Sequence, residues 1–300
     1  MSTVVVVRPP RAGRFDESGR ARVVKLVGRA GLYLLMALIV FVVAFPLFWM
    51  VSTSFKSKVE IYVTPPTLLP TMWTLQNYVD LFWITKFGSY YRNSIIVASS
   101  ATLLSITVGS LAAYSLSRFR FLGFALYLRL ILFAYMMPSI FLMIPLYILA
   151  VTVGLQDTLL GLIIANSTSA LPFTIWLLRS YFRTIPIELE EAAMIDGCGR
   201  FRAFYRVVLP LALPGIIATS LFAFTAAWNE FLYALVFINT DDRRTLPVGL
   251  MSWIGGGDSQ MDVWSMLLAA AVLTTAPVLV FYGLIQRHLV VDLSAGGSKS

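Results

Sequence analysis

Glu188, Glu190, Glu191 and Asp196, followed closely by Arg200, Arg202 and Arg206, gather seven charged side chains between two long apolar segments. Ala192-Ala193 and Gly197-Cys198-Gly199 lie among them, and the segment ends at Pro210 and Pro214. Long apolar stretches flank it on both sides, so so many charges belong in water beside a bilayer. That is the layout of a docking loop rather than of a catalytic pocket. Pro186 suits a helix's first turn, and Glu188, Glu190 and Glu191 then favour its positive amino-terminal end. Ala192-Ala193 form helix with little bulk and let a partner surface approach. Gly197 and Gly199 permit a sharp change of direction. Phe201, Phe204, Tyr205 and Val208 follow at the spacing of an apolar stripe on a second helix. Two short helices joined at a glycine make a compact knob. A loop lying on lipid headgroups is the alternative from the residues alone.

A second group could touch a solute. Trp228-Asn229-Glu230 offers an aromatic face beside side chains that donate and accept hydrogen bonds. On a continuous helix Glu230 lies about 24 Å beyond Pro214, and a charge at mid-bilayer costs about 2.5–3.5 kcal/mol or more unless it faces protein or water. Lining a route is one reading; the other makes Trp228 an interfacial anchor and lets Glu230 reach outer water. Asn166, in Asn166-Ser167-Thr168-Ser169, offers either interhelical hydrogen bonding or a pore-lining amide. Gly255-Gly256-Gly257 is a hinge by composition.

Catalysis has little to work with. Cys198 is the single cysteine and His288 the single histidine, which excludes an intrachain disulfide and a His/Cys metal site. No G-x-x-x-x-G-K-[ST] loop, Ser-x-x-Lys, His-Glu or G-x-S-x-G site stands out. An integral-membrane enzyme would need a polar cluster that is not found, and passage of a solute is the better reading.

The elements that position these residues are membrane helices. Mean hydropathy is +0.81, with 58% apolar and 13% charged residues, well below the quarter charged of ordinary soluble domains. A helix needs about 20 apolar residues to cross a bilayer, and inside lipid the backbone must satisfy its own hydrogen bonds. Six spans are expected, near 30–53, 93–117, 130–153, 158–178, 209–236 and 264–286. Pro138, Pro145 and Pro172 predict kinks. The net charge of +8 is segregated rather than spread as on a nucleic-acid binder: only Lys56, Lys58, Lys86, Arg92, Arg243 and Arg244 fall in the loops that are outer when both termini are cytoplasmic. Residues 1–29 read as a basic, disordered cytoplasmic tail, 30–290 as the six-helix domain with its loop at 184–208, and 291–300 as a short cytoplasmic tail. A short surface helix is expected at 75–82, with Trp73 and Trp83 at the interface.

Glu191-Ala192-Ala193 with Asp196-Gly197, then Phe204, Leu209-Pro210 and Pro214-Gly215, resembles the EAA loop of ATP-binding-cassette importer permeases, although Cys198 stands where that family often has alanine. Asn93-Ser94-Ile95, Ser115 to Phe119, Trp228 to Phe231 and the ending from Gln286 to Gly296 are similar to the maltose-type carbohydrate permeases, in particular the six-span partner of the pair. The resemblance implies an all-α type I importer domain in a prokaryotic inner membrane, with cytoplasmic EAA coupling helices. It implies a second permease, two ATPase subunits and an extracytoplasmic sugar-binding protein, and no cofactor here, since ATP and magnesium belong to the partner ATPase. It assigns ATPase coupling to Glu190, Glu191, Ala192, Ala193, Asp196, Gly197 and Phe204, and binding-protein contact to the loop holding Gly255, Gly256 and Gly257. A permease for a non-sugar solute and a stand-alone secondary transporter are the rival functions.

Overall fold

The computed structural model describes residues 17–120, 122–254 and 260–296, with side chains placed for 26–120, 122–254 and 263–286. Among the described residues thirteen α-helices run in the order α1 (Glu17–Ser54), α2 (Gln76–Ile84), α3 (Phe87–Arg118), α4 (Phe124–Met136), α5 (Ser139–Thr152), α6 (Leu159–Thr184), α7 (Ile187–Ile195), α8 (Arg200–Ala203), α9 (Leu209–Leu211), α10 (Leu213–Trp228), α11 (Leu232–Phe237), α12 (Leu246–Ile254) and α13 (Gln260–Gly296). No strand occurs among the described residues.

Four stretches are single helices apolar enough to cross a membrane: Leu26–Ser54, Phe87–Arg118, Leu159–Thr184 and Val263–Gln286. Two further helix pairs are as apolar when taken together, but each is bent. The expected third span divides into α4 and α5, bent by 99°. Met137 is extended there, at ψ 131°, because the ring of Pro138 disfavours the helical conformation in the residue before it. The expected fifth span bends by 77° between α9 and α10, then stops at Trp228 and restarts at Leu232. The expectation of one continuous helix over 209–236 is therefore corrected. The amino-terminal expectation also changes: α1 begins at Glu17, so 17–29 are helical where a disordered tail is expected. That stretch holds no proline and carries the good helix formers Arg20, Arg22, Lys25 and Arg29. Residues 1–16 lie outside the described residues. At the other end α13 continues to Gly296.

The core is built on α3 and α6. Ala98, Ala101, Ser105 and Ala113 of α3 are buried, and small residues let helix backbones approach closely. At Gly109 an added Cβ would stand 2.5 Å from Thr174 Cγ2 on α6. Ser105 Oγ donates to Ser167 O (3.4 Å), and Ser167 Oγ to Ala101 O (3.3 Å). One apolar cluster around Tyr114, Phe182, Phe204 and Val208 fills the end of the bundle next to α7. Two others, around Trp228 and Tyr233, fill the rest. α1 lies against α13 and buries none of its apolar window in this chain. Past α1, Asn77 Nδ2 donates to Ser54 O (2.9 Å) and Lys56 O (2.8 Å), fixing α2 to the end of the span.

Candidate coupling site at the α7 elbow

α6 stops because Pro186 keeps Ile185 extended, and Pro186 itself stands just before the first turn of α7. At the far end of α7 the N–H of Gly197 reaches Met194 O (3.1 Å) and that of Cys198 reaches Ala193 O (3.0 Å). This closure sets Gly197 at φ +87°, a left-handed conformation that side chains strain. Gly199 has φ −69°, open to any residue, so the change of direction rests on Gly197 and not on Gly199. After α8, Phe204–Val208 form a π-helical turn leading into α9.

Glu190 is drawn inward. Its side chain is 5% exposed, and its Oε1 accepts from Arg118 Nε at 2.5 Å. Its Oε2 accepts from Tyr114 Oη at 2.8 Å. Arg118 Nη2 also donates to Ile185 O (3.0 Å), so one guanidinium ties the end of α3 to both flanks of Pro186. The Tyr114 ring packs on Phe204 with centroids 4.6 Å apart. Arg179 Nε donates to Leu116 O (3.1 Å), and the Arg200 guanidinium lies 4.9 Å over the Phe119 ring. The rest of the group faces the other way: Glu191, Ala192, Asp196 and Gly197 are exposed and Ala193 is half-buried. The expected stripe on the second helix is split, with Phe204 and Val208 buried and Phe201 and Tyr205 exposed. Exposed carboxylates thus stand beside bare apolar side chains in the sequence of the elbow, among them Ile195, which is 87% exposed. The arrangement can do no bond chemistry. It is a firmly rooted elbow with acidic and apolar side chains exposed on one side.

Three residues of the second group lie at the break between α10 and α11. Trp228 is 2% exposed, with its ring stacked on Phe224 (5.7 Å) and edge-on to Tyr91 (5.9 Å). Asn229 is exposed and donates from Nδ2 to Thr225 O (2.9 Å). Glu230 accepts from the N–H groups of Tyr233 (2.7 Å) and Ala234 (3.0 Å), capping α11. Asn166 is buried on α6, one turn from Ser169, whose hydroxyl bonds that of Tyr233 at 2.8 Å. Gly255, Gly256 and Gly257 lie outside the described residues.

The opposite end of the bundle carries a clasp that the sequence does not announce. Asp157 Oδ1 accepts from the N–H groups of Asn239 and Thr240, both at 2.9 Å. Its Oδ2 accepts from Thr240 Oγ1 (2.6 Å) and Arg243 Nη1 (2.9 Å). These bonds, the Thr240 hydroxyl first, hold the Asp157 carboxyl down at about 2. Lys86 pairs with Asp242 (2.8 Å) and Asp241 (2.9 Å), and hydrogen bonds to the two carboxylates raise its ammonium above the ordinary lysine range.

Residues 105–294 match the family of binding-protein-dependent transport system inner membrane components. The chain belongs to this family. It is 39% identical over 277 residues to the inner membrane ABC transporter permease protein YcjP of Escherichia coli (strain K12), covering 92% of this chain and 98% of that protein. It is 38% identical to the diacetylchitobiose uptake system permease protein NgcG of Streptomyces coelicolor (85% of this chain, 84% of that protein). The trehalose/maltose transport system permease protein MalG of Thermococcus litoralis is 36% identical (85% and 91%). A solved bacterial ABC transporter involved in the import of alginate shares the fold, with a TM-score of 0.76 at 23% identity over 93% of this chain and 99% of that one. The all-α importer-permease architecture expected from the sequence is therefore the observed one. The permease is a transport subunit of the inner membrane, and its family is served by binding proteins.

Proposed function

We propose that this permease forms the translocation path of a di- or oligosaccharide importer together with a second permease, driven by two ATPase subunits that grip the α7 elbow. The observation that carries the coupling half is the two-sided elbow: Glu190 is rooted inside the fold, while Ile195, Glu191 and Asp196 stand free. The elbow faces the cytoplasm, as do both termini, and the end bearing the Asp157 clasp faces the binding protein. ATP and magnesium are bound by the ATPase partners. Relatives named for trehalose/maltose and for diacetylchitobiose support the sugar half. The solute crosses by alternating access, with Trp228, Asn229, Glu230 and Asn166 near the α10–α11 break as the candidate lining, and the Gly255 to Gly257 loop reaches towards the binding protein.

Copurification from the native membrane tests this reading. The permease should bring down a second permease and two ATPase chains, and the solute released from the associated binding protein should be a di- or oligosaccharide by mass spectrometry. Isolation without any ATPase, or a binding protein loaded with an amino acid or phosphate, contradicts it.

A further inference from the structure

Four single helices are long enough to span the membrane, and three of them contain an interior proline: Pro46 in α1, Pro172 in α6 and Pro277 in α13. The two further helix pairs bend outright. α3 has 32 residues and no proline, which makes it about 48 Å of uninterrupted helix. It is also fastened at both ends. At one end Tyr114 and Arg118 hold the Glu190 carboxylate of α7. About 42 Å away along the axis, Tyr90 Oη donates to Asp241 Oδ1 at 2.8 Å. Asn93 Nδ2 donates there to the carbonyls of Asp242 (2.8 Å) and Arg244 (3.0 Å), and Ser94 Oγ accepts from the N–H of Leu246 (2.8 Å). The 241–246 loop thus hangs on one end of the helix whose other end grips the elbow.

We infer that Glu190 is a positioning residue which, through Arg118 and Tyr114, makes α3 a rigid strut linking the α7 elbow to the 241–246 loop at the opposite face. This rests on the coupling role proposed above but gives Glu190 a different task from its exposed neighbours. Glu191 and Asp196 meet the partner; Glu190, with its side chain 5% exposed, does not. Movement imposed on α7 is delivered to α3 through an ion pair too short and too buried to slip, and a helix without a proline hinge passes it on. Coupling of distant sites requires an element with discrete positions that both sites bias; α3 is fastened to both and lacks the interior proline that α6 carries.

The test uses the complete importer, reconstituted in liposomes with both permeases and ATPases, and measures ATP hydrolysis with and without the binding protein as purified with its solute. In E190Q the ratio of stimulated to unstimulated hydrolysis should fall about tenfold or more while the ATPase subunits still copurify. The exchanged pair E190R/R118E should recover at least half of the ratio. Unchanged stimulation in E190Q, or no recovery in the exchanged pair, overturns the inference. Loss of the ATPases from E190Q also overturns it, because Glu190 would then be a docking contact. Y114F, which removes one hydrogen bond and leaves the ring, should lower the ratio about threefold; an unchanged ratio there counts equally against the strut, even if E190Q does not accumulate. I195R separates this from the broader reading: ATPases that stay bound to I195R refute docking at the elbow, whatever E190Q does.

Discussion

Glu190 and Arg118 stand 72 residues apart in sequence and meet at 2.5 Å, with side chains only 5% and 10% exposed. Removing one partner of such a pair strands a buried charge and costs about 3–5 kcal/mol. Glu190→Ala should therefore destabilise the permease by about that amount, read as a loss of midpoint in detergent unfolding. Glu191→Ala, one residue on and exposed, should shift stability by no more than about 0.5 kcal/mol. Equal effects from the two would show that the clasp contributes little.

Gly197 and Gly199 separate backbone strain from crowding, since an added Cβ at either site meets nothing within 4 Å. Gly197→Ala should cost about 1–2 kcal/mol because of its left-handed φ of +87°. Gly199→Ala should be close to neutral. Circular-dichroism melts of the two variants decide this, and reversal of the order would contradict the elbow geometry.

Close approach of α3 and α6 gives a third expectation. At Gly109 a Cβ would meet Thr174 Cγ2 at 2.5 Å, so Gly109→Ala should destabilise by about 1–3 kcal/mol through overpacking. Thr174→Ala in the same chain should recover most of that loss in the same melts. No recovery would place the cost elsewhere.

Glu230 distinguishes a cap from a lining. Glu230→Ala leaves the amides of Tyr233 and Ala234 without their acceptor and should cost about 0.5–2 kcal/mol. Glu230→Gln keeps one of the two acceptors, so it should cost less stability than Glu230→Ala and preserve most of the uptake. If uptake collapses in Glu230→Gln while the fold is intact, the carboxylate charge itself serves the route.

Asp157 sets the pH behaviour of the face opposite the elbow. Its folded carboxyl lies at about 2, below the ordinary 3.8. The clasp on 239–243 is therefore fully present above about pH 3.8 and is lost as pH falls through about 2. Hydrogen-exchange protection of the Asn239 and Thr240 amides should be constant between pH 5 and pH 8, after correction for the intrinsic exchange rate. Protection lost within that range would contradict the low carboxyl value, and Asp157→Asn should lower it at every pH.

Local signals were the legible ones. The apolar runs located the spans, Pro138 located the α4–α5 break, and Pro186 with Gly197 bounded α7. The interruption at Asn229 to Phe231 was hidden because its flanks are as apolar as a span, although Glu230 caps α11 through amides only three and four residues further on. The partner of Glu190 was hidden for another reason. Arg118 reads as one more basic residue at a helix end, and nothing local pairs it with a carboxylate on a different segment. Tyr114 and Arg118 at i and i+4 were the available hint, since that spacing places a hydroxyl and a guanidinium on one face. Asp157 gave no signal, because a lone acid in a short turn is ordinarily solvated.

The central claim is that the exposed side of the α7 elbow is held by an ATPase subunit inside the cell. A photocrosslinking residue placed at position 195 of the importer in intact cells tests it most directly. The account predicts an ultraviolet-dependent adduct between the permease and the ATPase, abolished when the ATPase is absent. Adducts to lipid alone, or to a protein on the far side of the membrane, would contradict it.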